Sequence, residues 1–465
     1  MIFNSIFELV MEVKKLSASP LDTLLNSTSE KLNISKMKNS LSYIIYVFKN
    51  RRKELLITGI NLLFFIATLV NFLPTLYKDN STKSLAKTLI AFSTITLIWD
   101  IILKIKKLRK SRTFISLLPK QINYSRIDNN KGFKLVSHKF LSEGQTCTNH
   151  IYYSQDINIY LQKSNDKKLN VEFCKAKQRK IETFIHENFE KLGMYLKSKY
   201  NYSNLNGKDF FNEVKLCLSE DVCINELVKC HRGMYYDSLL TNEIAGNYII
   251  DRNGTTLADY SYLFPIKKSN KLDRSSIQSI KEAILNNHIG VSTIAITADN
   301  YMIFWIQNTR ALYANNLIVP SGSGSCDFKD LTNMDFIRTL KTAMEREFME
   351  ESTNFKKLNE FSIKTKIIGH FRWMQKAGKP EFLGVTKIGL KWIDLVSNLN
   401  EVRKSNAAEK HVLEEEVHNI VEVAEVIKER LKKDSSLSVP LFCNMIFLLQ
   451  YIEDNPQEAQ DFIFK

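Results

Sequence analysis

"AMEREFMEES", residues 343–352, sets four glutamates within seven positions near the end of a predicted helix. Like charges one turn apart repel by roughly a few tenths of a kcal/mol. At a helix C-terminus they also oppose the macrodipole. On a wheel of about 100° per residue, Phe336, Leu340, Ala343 and Met344 form the apolar stripe. Adding seven to Leu340, Ala343 and Met344 reaches Glu347, Glu350 and Glu351, so the acid continues the stripe that faces the core. Glu345 points almost the opposite way, into solvent. A solvated acidic face should lie opposite the apolar stripe. Three carboxylates on the core side need cations instead. Arg346 is a neighbour that can serve one or two of them. Hard oxygen donors at i, i+3 and i+4 suit Mg²⁺ or Mn²⁺, and a structural ion-pair cluster is the alternative.

The flanking sequence places this helix in a sheet. "HIGVSTIAITADNYMIFWIQNTRA", from His288, reads as two β-rich runs around a turn at Ala298–Asp299–Asn300. "NNLIVPSGSGS" follows as a short strand and a loop with Gly322 and Gly324, whose backbone amides could approach phosphate oxygens. "DFKDLTN" is a loop into the helix. "IKTKIIGHFRWMQ" and "EFLGVTKIGL" then form a second hairpin around "KAGKP". Strand pair, glycine loop, helix and strand pair predict an α+β, mixed-sheet domain over 286–400.

With these elements in place, the region resembles a Nudix domain. That family's signature is Gly, five residues, Glu, seven residues, then R-E-U-x-E-E-x-G-U with U apolar. "REFMEESTN" matches it at Arg346, Glu347, Phe348, Glu350 and Glu351, and a P-x-G-x-G turn recurs at Pro320, Gly322 and Gly324. The resemblance implies that Glu347, Glu350 and Glu351 bind Mg²⁺ or Mn²⁺ with Arg346 orienting them. It implies that Gly322, Gly324 and Asp330 lie at the ligand, and that water attacks a diphosphate linked to a nucleoside. The second glycine of the signature is Thr353, and the position eight before Arg346 is Arg338. Gly324 has Asp330 six residues on, with fifteen residues then separating it from Arg346. Either the box carries an insertion with Asp330 standing for the Glu, or its front half has decayed.

Towards the N-terminus the pattern changes. Residues 1–50 begin with an amphipathic segment. "LLITGINLLFFIATLVNFLPTL" (55–76) and "SLAKTLIAFSTITLIWDIIL" (84–103) are each long enough to cross a hydrocarbon core of about 30 Å. "KNRRK" precedes the first and "KIKKLRKSR" follows the second. Positive charge retained inside predicts a two-span inner-membrane hairpin with both termini cytoplasmic. Asn61 and Asn71 could aid homo-oligomerisation through it. The basic flanks, drawn to anionic lipid, account for much of the net charge of +15 without nucleic acid. Seven scattered cysteines imply no disulfide scaffold.

Residues 113–285 read as a cytosolic α/β region of unassigned role, and the tail over 401–465 as helical. Within that tail, "VPLFCNMIFLLQYI" is too short to span and is predicted to dock as a buried helix. A two-span hairpin joined to a Nudix-like domain is similar in architecture to the membrane effectors of bacterial cyclic-oligonucleotide antiphage (CBASS) systems. That resemblance implies a cyclic-nucleotide signal and action at the membrane. A tethered Mg²⁺-dependent hydrolase of a nucleoside diphosphate derivative is the alternative.

Overall fold

Gly290–Ile296 is buried at every position, as a strand covered on both faces must be. The computed structural model describes residues 40–47, 49–51, a few positions between 61 and 69, and 83–465 apart from 111–114, 130–131, 143–144, 206–209, 211, 269–273, 307–316, 354–360 and 396–411. Among the described residues, nine strands build the central sheet. They are β1 (Phe133–Ser142), β2 (Gln145–Ser154), β3 (Gly290–Ile296), β4 (Tyr301–Ile306), β5 (Ile318–Val319), β6 (Gly322–Ser325), β7 (Ile363–Trp373), β8 (Lys379–Ile388) and β9 (Val412–Glu416). The order is β5-β4-β3-β8-β7-β2-β1, with β6 also paired to β3 and β9 to β4. Strands β3 and β8 run parallel, from Gly290 opposite Glu381 to Ile296 opposite Lys387. The sheet therefore draws strands from both sides of residue 285.

Helices follow, five of which pack on the two faces of this sheet. They are α1 (Lys83–Lys110), α2 (Gln155–Lys163), α3 (Lys175–Leu205), α4 (Phe336–Ser352), α5 (Ile420–Lys433), α6 (Val439–Asp454) and α7 (Pro456–Phe464). Successive strand residues point to opposite faces, and the core divides accordingly. Ile367 and Phe382 pack with Phe336, Leu340 and Met344 of α4 and Leu161 of α2. Their neighbours Ile368 and Leu383 pack with Val423, Leu441, Leu448 and Tyr451 of the C-terminal helices. A third core joins α3, through Phe189, Leu192 and Leu196, to Tyr236, Leu240 and Met374. That cluster ties residues 175–285 to the turn between β7 and β8.

Two expectations about the chain's ends are overturned. The fold is mixed α/β, and among the described residues no helix is long and apolar enough to cross a membrane. The membrane hairpin and the two-span inner-membrane location are therefore not supported. Much of 55–76, and the amphipathic segment at the start of 1–50, lie outside the described residues. The second run lies in α1, where Thr88, Ser93, Thr94, Thr96 and Asp100 interrupt the apolar residues. Thr94 and Ser93 spend their hydroxyls on the carbonyl of Ile90. Length and basic flanks suggested a span, and polar content decides against it. At the other end, Glu414–Glu416 is not helical but part of β9, where Leu413 lies opposite Phe304. Helix α5 starts only at the Asn419 cap, whose side chain accepts from Val421 and Glu422. Helix α6 is buried, as its apolar sequence predicts.

Candidate active site

Helix α4 begins at Asp335, whose side chain accepts the amides of Ile337 and Arg338. Its stripe of Phe336, Leu340, Ala343 and Met344 is fully buried under the sheet. The next turns bring the acid to the edge of that core. The side chain of Glu347 is 13% exposed and that of Glu350 44%. The stripe thus carries Glu347 inward and leaves Glu350 at the rim. Glu345 is half-buried rather than solvated. Burial raises its carboxyl to about 7, opposed by a hydrogen bond with Thr365 of β7.

Arg346 organises the cluster. Its Nε and Nη2 donate in a fork to the two carboxylate oxygens of Asp330, at 2.9 and 2.8 Å. Nη1 donates to Glu347 Oε1 and Glu350 Oε2, both at 2.9 Å. Nη2 also reaches the carbonyl of Ser325 at 2.9 Å. Such forked, charge-assisted bonds are the strong class. Burial alone would lower the pKa of the guanidinium, but Asp330, Glu347 and Glu350 outweigh it and raise it. Asp330 is itself only 3% exposed and also accepts the amide of Asp327. The acid six residues after Gly324 therefore meets Arg346 in space, across the fifteen residues between them.

Strand β6 closes the other side. The amides of Ser323 and Ser325 donate to Glu351 Oε2 at 3.1 Å and Glu347 Oε1 at 3.2 Å. The two glycines make this approach possible. A Cβ on Gly322 would lie 2.6 Å from the Phe348 backbone, and one on Gly324 2.2 Å from the Glu347 carboxyl carbon. The space they leave is filled by α4 itself, so the strand amides hold carboxylates. Thr353, where the signature has glycine, ends the helix in extended backbone (φ −141°, ψ 163°). No left-handed residue is required there.

Acid is dense here. Asp330, Glu347 and Glu350 bond the Arg346 guanidinium and Glu351 accepts the Ser323 amide, while nearby Asp327 is paired with the buried Lys215. Burial lifts the Glu347 carboxyl to about 7, with Arg346 pulling it down and Glu350 pushing it up. Carboxylate oxygens are hard donors of the type a divalent cation takes. As they stand, the carboxylates are held by Arg346 and by amides. Among the described residues no group of three or more His, Cys, Asp or Glu side chains is arranged to hold a metal ion. Ser323, Ser325 and Lys215 had no signal in the sequence beyond the alternating serines of "SGSGS".

No family model matches the chain, and no curated protein matches it. Among solved structures, the MutT protein from Methanosarcina mazei Go1 is similar to 37% of this chain over 96% of its own length. The identity is 13% and the TM-score 0.24. A likeness at that level carries no argument about this site, whose reading rests on the geometry above.

Proposed function

We propose that the cluster on α4 holds a divalent cation, Mg²⁺ or Mn²⁺, and that the protein hydrolyses a phosphoanhydride in a nucleoside diphosphate derivative, as the Nudix-like box implies. The observation that carries this reading is the Asp330–Arg346 fork. It supplies an acid where the box has Arg338 and leaves Glu347 and Glu350 together on Nη1 of the guanidinium, with Glu351 on the Ser323 amide. Those three glutamates would hold the cation, with Arg346 and the Ser323 and Ser325 amides positioning them. When bound, such a cation lowers the pKa of a coordinated water and neutralises charge developing on phosphate.

The test is release of phosphate-containing products from a panel of nucleoside diphosphate derivatives, with and without Mg²⁺. Turnover should require the cation and fall by at least about 100-fold in Glu350→Gln or Glu351→Gln, the scale of losing a general acid–base or metal-positioning group. Cation-independent turnover, or full activity in both variants, would exclude it.

A second reading, nucleotide binding without turnover, is favoured by one observation. Glu347 and Glu350 are both already engaged by Arg346. It retains the signal-responsive part of the effector idea. Action at a membrane is not part of either reading.

A further inference from the structure

On the far side of β6 from these carboxylates the chain borders a cavity of about 620 Å³. That volume is in the range of small-molecule sites, roughly 300–1,000 Å³. Ser323 and Ser325 line one wall, and Lys379 and Glu381 of β8 line another. Two further walls come from outside the Nudix-like segment. One is the start of α6. The other is Tyr235–Glu243, which includes a π-helical turn at Leu239–Glu243. Such turns recur at functional sites.

Register decides what faces this space. Gly290 of β3 lies opposite Ser325 of β6 on one side and Glu381 of β8 on the other. Residues paired across strands share a face of the sheet, so a hydroxyl and a carboxylate rise on either side of a residue without a side chain. A Cβ on Gly290 would run into the Glu381 carboxylate. Lys379, two residues before Glu381, falls on the same face. Its Nζ donates to Glu381 Oε1 at 2.6 Å. Among the described residues this is the one hydrogen bond that either side chain makes, although Lys379 is 7% and Glu381 4% exposed. Two N–H groups of the lysine and Oε2 of the glutamate thus have no hydrogen-bond partner there, in a place where polar groups require one.

The charged side chains lining the cavity are two of each sign, Lys376 and Lys379 with Glu243 and Glu381. Burial holds His288, which also lines it, neutral. A ligand with net charge would add an unbalanced charge to a buried site. The cavity therefore suits a neutral ligand, and the open hydrogen-bonding positions set its pattern. Lys379 Nζ, Glu381 Oε1 and Glu381 Oε2 present a donor, an acceptor and an acceptor in turn. The complement is an edge that carries acceptor, donor and donor. Tyr235, Leu239 and Val439 add apolar surface for the body of such a ring. The walls are also fixed to one another. The Asn242 side chain donates to Asn287 Oδ1 and accepts the Asn287 amide, both at 2.9 Å. A site held in this way loses little freedom on binding.

We propose that this cavity binds a neutral ring with a 2-amino-4-oxopyrimidine edge, the edge shared by guanine and pterins, read by Lys379 and Glu381. The ring carbonyl accepts from Lys379 Nζ, the ring N–H donates to Glu381 Oε1 and the amino group donates to Oε2. Residues 235–243 thereby gain a role, as a wall of the pocket that recognises the ligand. Neither Lys379 nor Glu381 belongs to the acidic cluster, so the site needs no cation.

The test is calorimetric titration of the full chain in EDTA with guanosine and with pterin, the two sources of that edge. Each is paired with an analogue that lacks the amino donor, inosine for guanosine and lumazine for pterin. At least one of the two should bind, and the tighter names the source. Its analogue should bind at least about tenfold more weakly, the scale of one lost hydrogen bond to a charged group. Glu381→Gln should weaken binding by a similar factor. In the wild-type chain the ligand should also slow alkylation of Cys147, a partly exposed thiol in the cavity wall, read by peptide mass spectrometry. The analogue pair and the Cys147 readout stand even if the substituted chain fails to fold. No binding by guanosine or pterin, equal binding of the analogue, or binding that leaves Cys147 unprotected would overturn the assignment. Because EDTA removes divalent metal, failure here leaves cation-dependent hydrolysis untouched, and failure of hydrolysis leaves this result standing.

Discussion

The two sides of β6 solve opposite electrostatic problems. Towards α4, four carboxylates share Arg346 and two strand amides, in a packed arrangement with no room between glycine and helix. Towards the cavity, Lys379 bonds Glu381 beside open space. Buried charges of either sign require partners. The packed side leaves no room between glycine and helix, whereas the other side borders a cavity of about 620 Å³.

The largest effect should come from removing the cation of the packed side. Arg346→Met strands Asp330, 3% exposed, beside Glu347. Breaking a buried pair by removing one partner costs about 3–5 kcal/mol. Chemical denaturation should show a loss of that order, whereas Lys376→Gln, at a half-buried position on the open side, should lose under about 1 kcal/mol. Equal losses would dissolve the distinction between the two sides.

Packing gives the next effect. Gly322→Ala puts a methyl 2.6 Å from the Phe348 backbone, which cannot move aside without moving the helix. Overpacking of this kind costs about 1–3 kcal/mol. At Gly324 the obstacle is the end of the Glu347 side chain, so Gly324→Ala should cost less and chiefly disturb the carboxylate. Urea unfolding of both variants, with cation affinity measured alongside, separates the two.

The sides should also answer pH in opposite senses. Glu345 and Glu347 have folded pKa values near 7, above an unfolded value of about 4.5. Their contribution to stability is full below about 4.5 and is lost as pH rises through about 7. His288 is depressed well below about 6.5, so its contribution is present above that value and is lost as pH falls. Thermal melts across pH 4–9, on the order of that window, should therefore show Glu345→Gln flattening the alkaline limb and His288→Gln the acid limb. No change in either limb would contradict the placement of these groups.

The smallest effect is at Thr353. Restoring the signature glycine there should give no gain in activity and lose about 0.5–1 kcal/mol, because extended backbone gains nothing from glycine and the unfolded chain gains entropy.

These contrasts also explain what could be read from the chain alone. Helix α4 was legible because its stripe repeats with the helical period and the glutamates fall on it locally. The hairpins β3–β4 and β7–β8 were legible from β-rich runs around Asn300 and around Ala377–Gly378, all three with positive φ. Strand β6 was not. Gly322–Ser325 has no strand propensity, and its conformation is set by pairing with β3 and contact with α4. Glu414–Glu416 looked helical because it runs into a segment with a charged face and a Val/Ile stripe, yet pairing with β4 decides its state. The cavity was invisible because its walls come from residues as distant as Cys147 and Pro440. The apolar run in α1 misled because length was weighed above its hydroxyls and Asp100.

The most direct measurement is calorimetric titration of Mg²⁺ into the full chain, with Glu350→Gln and Glu351→Gln alongside. The account predicts saturable binding that weakens at least tenfold in each variant while their folds, judged by thermal midpoint, persist. No Mg²⁺ binding by the wild-type chain, or binding unchanged in both variants, would contradict the claim that this acid gathers to hold a cation.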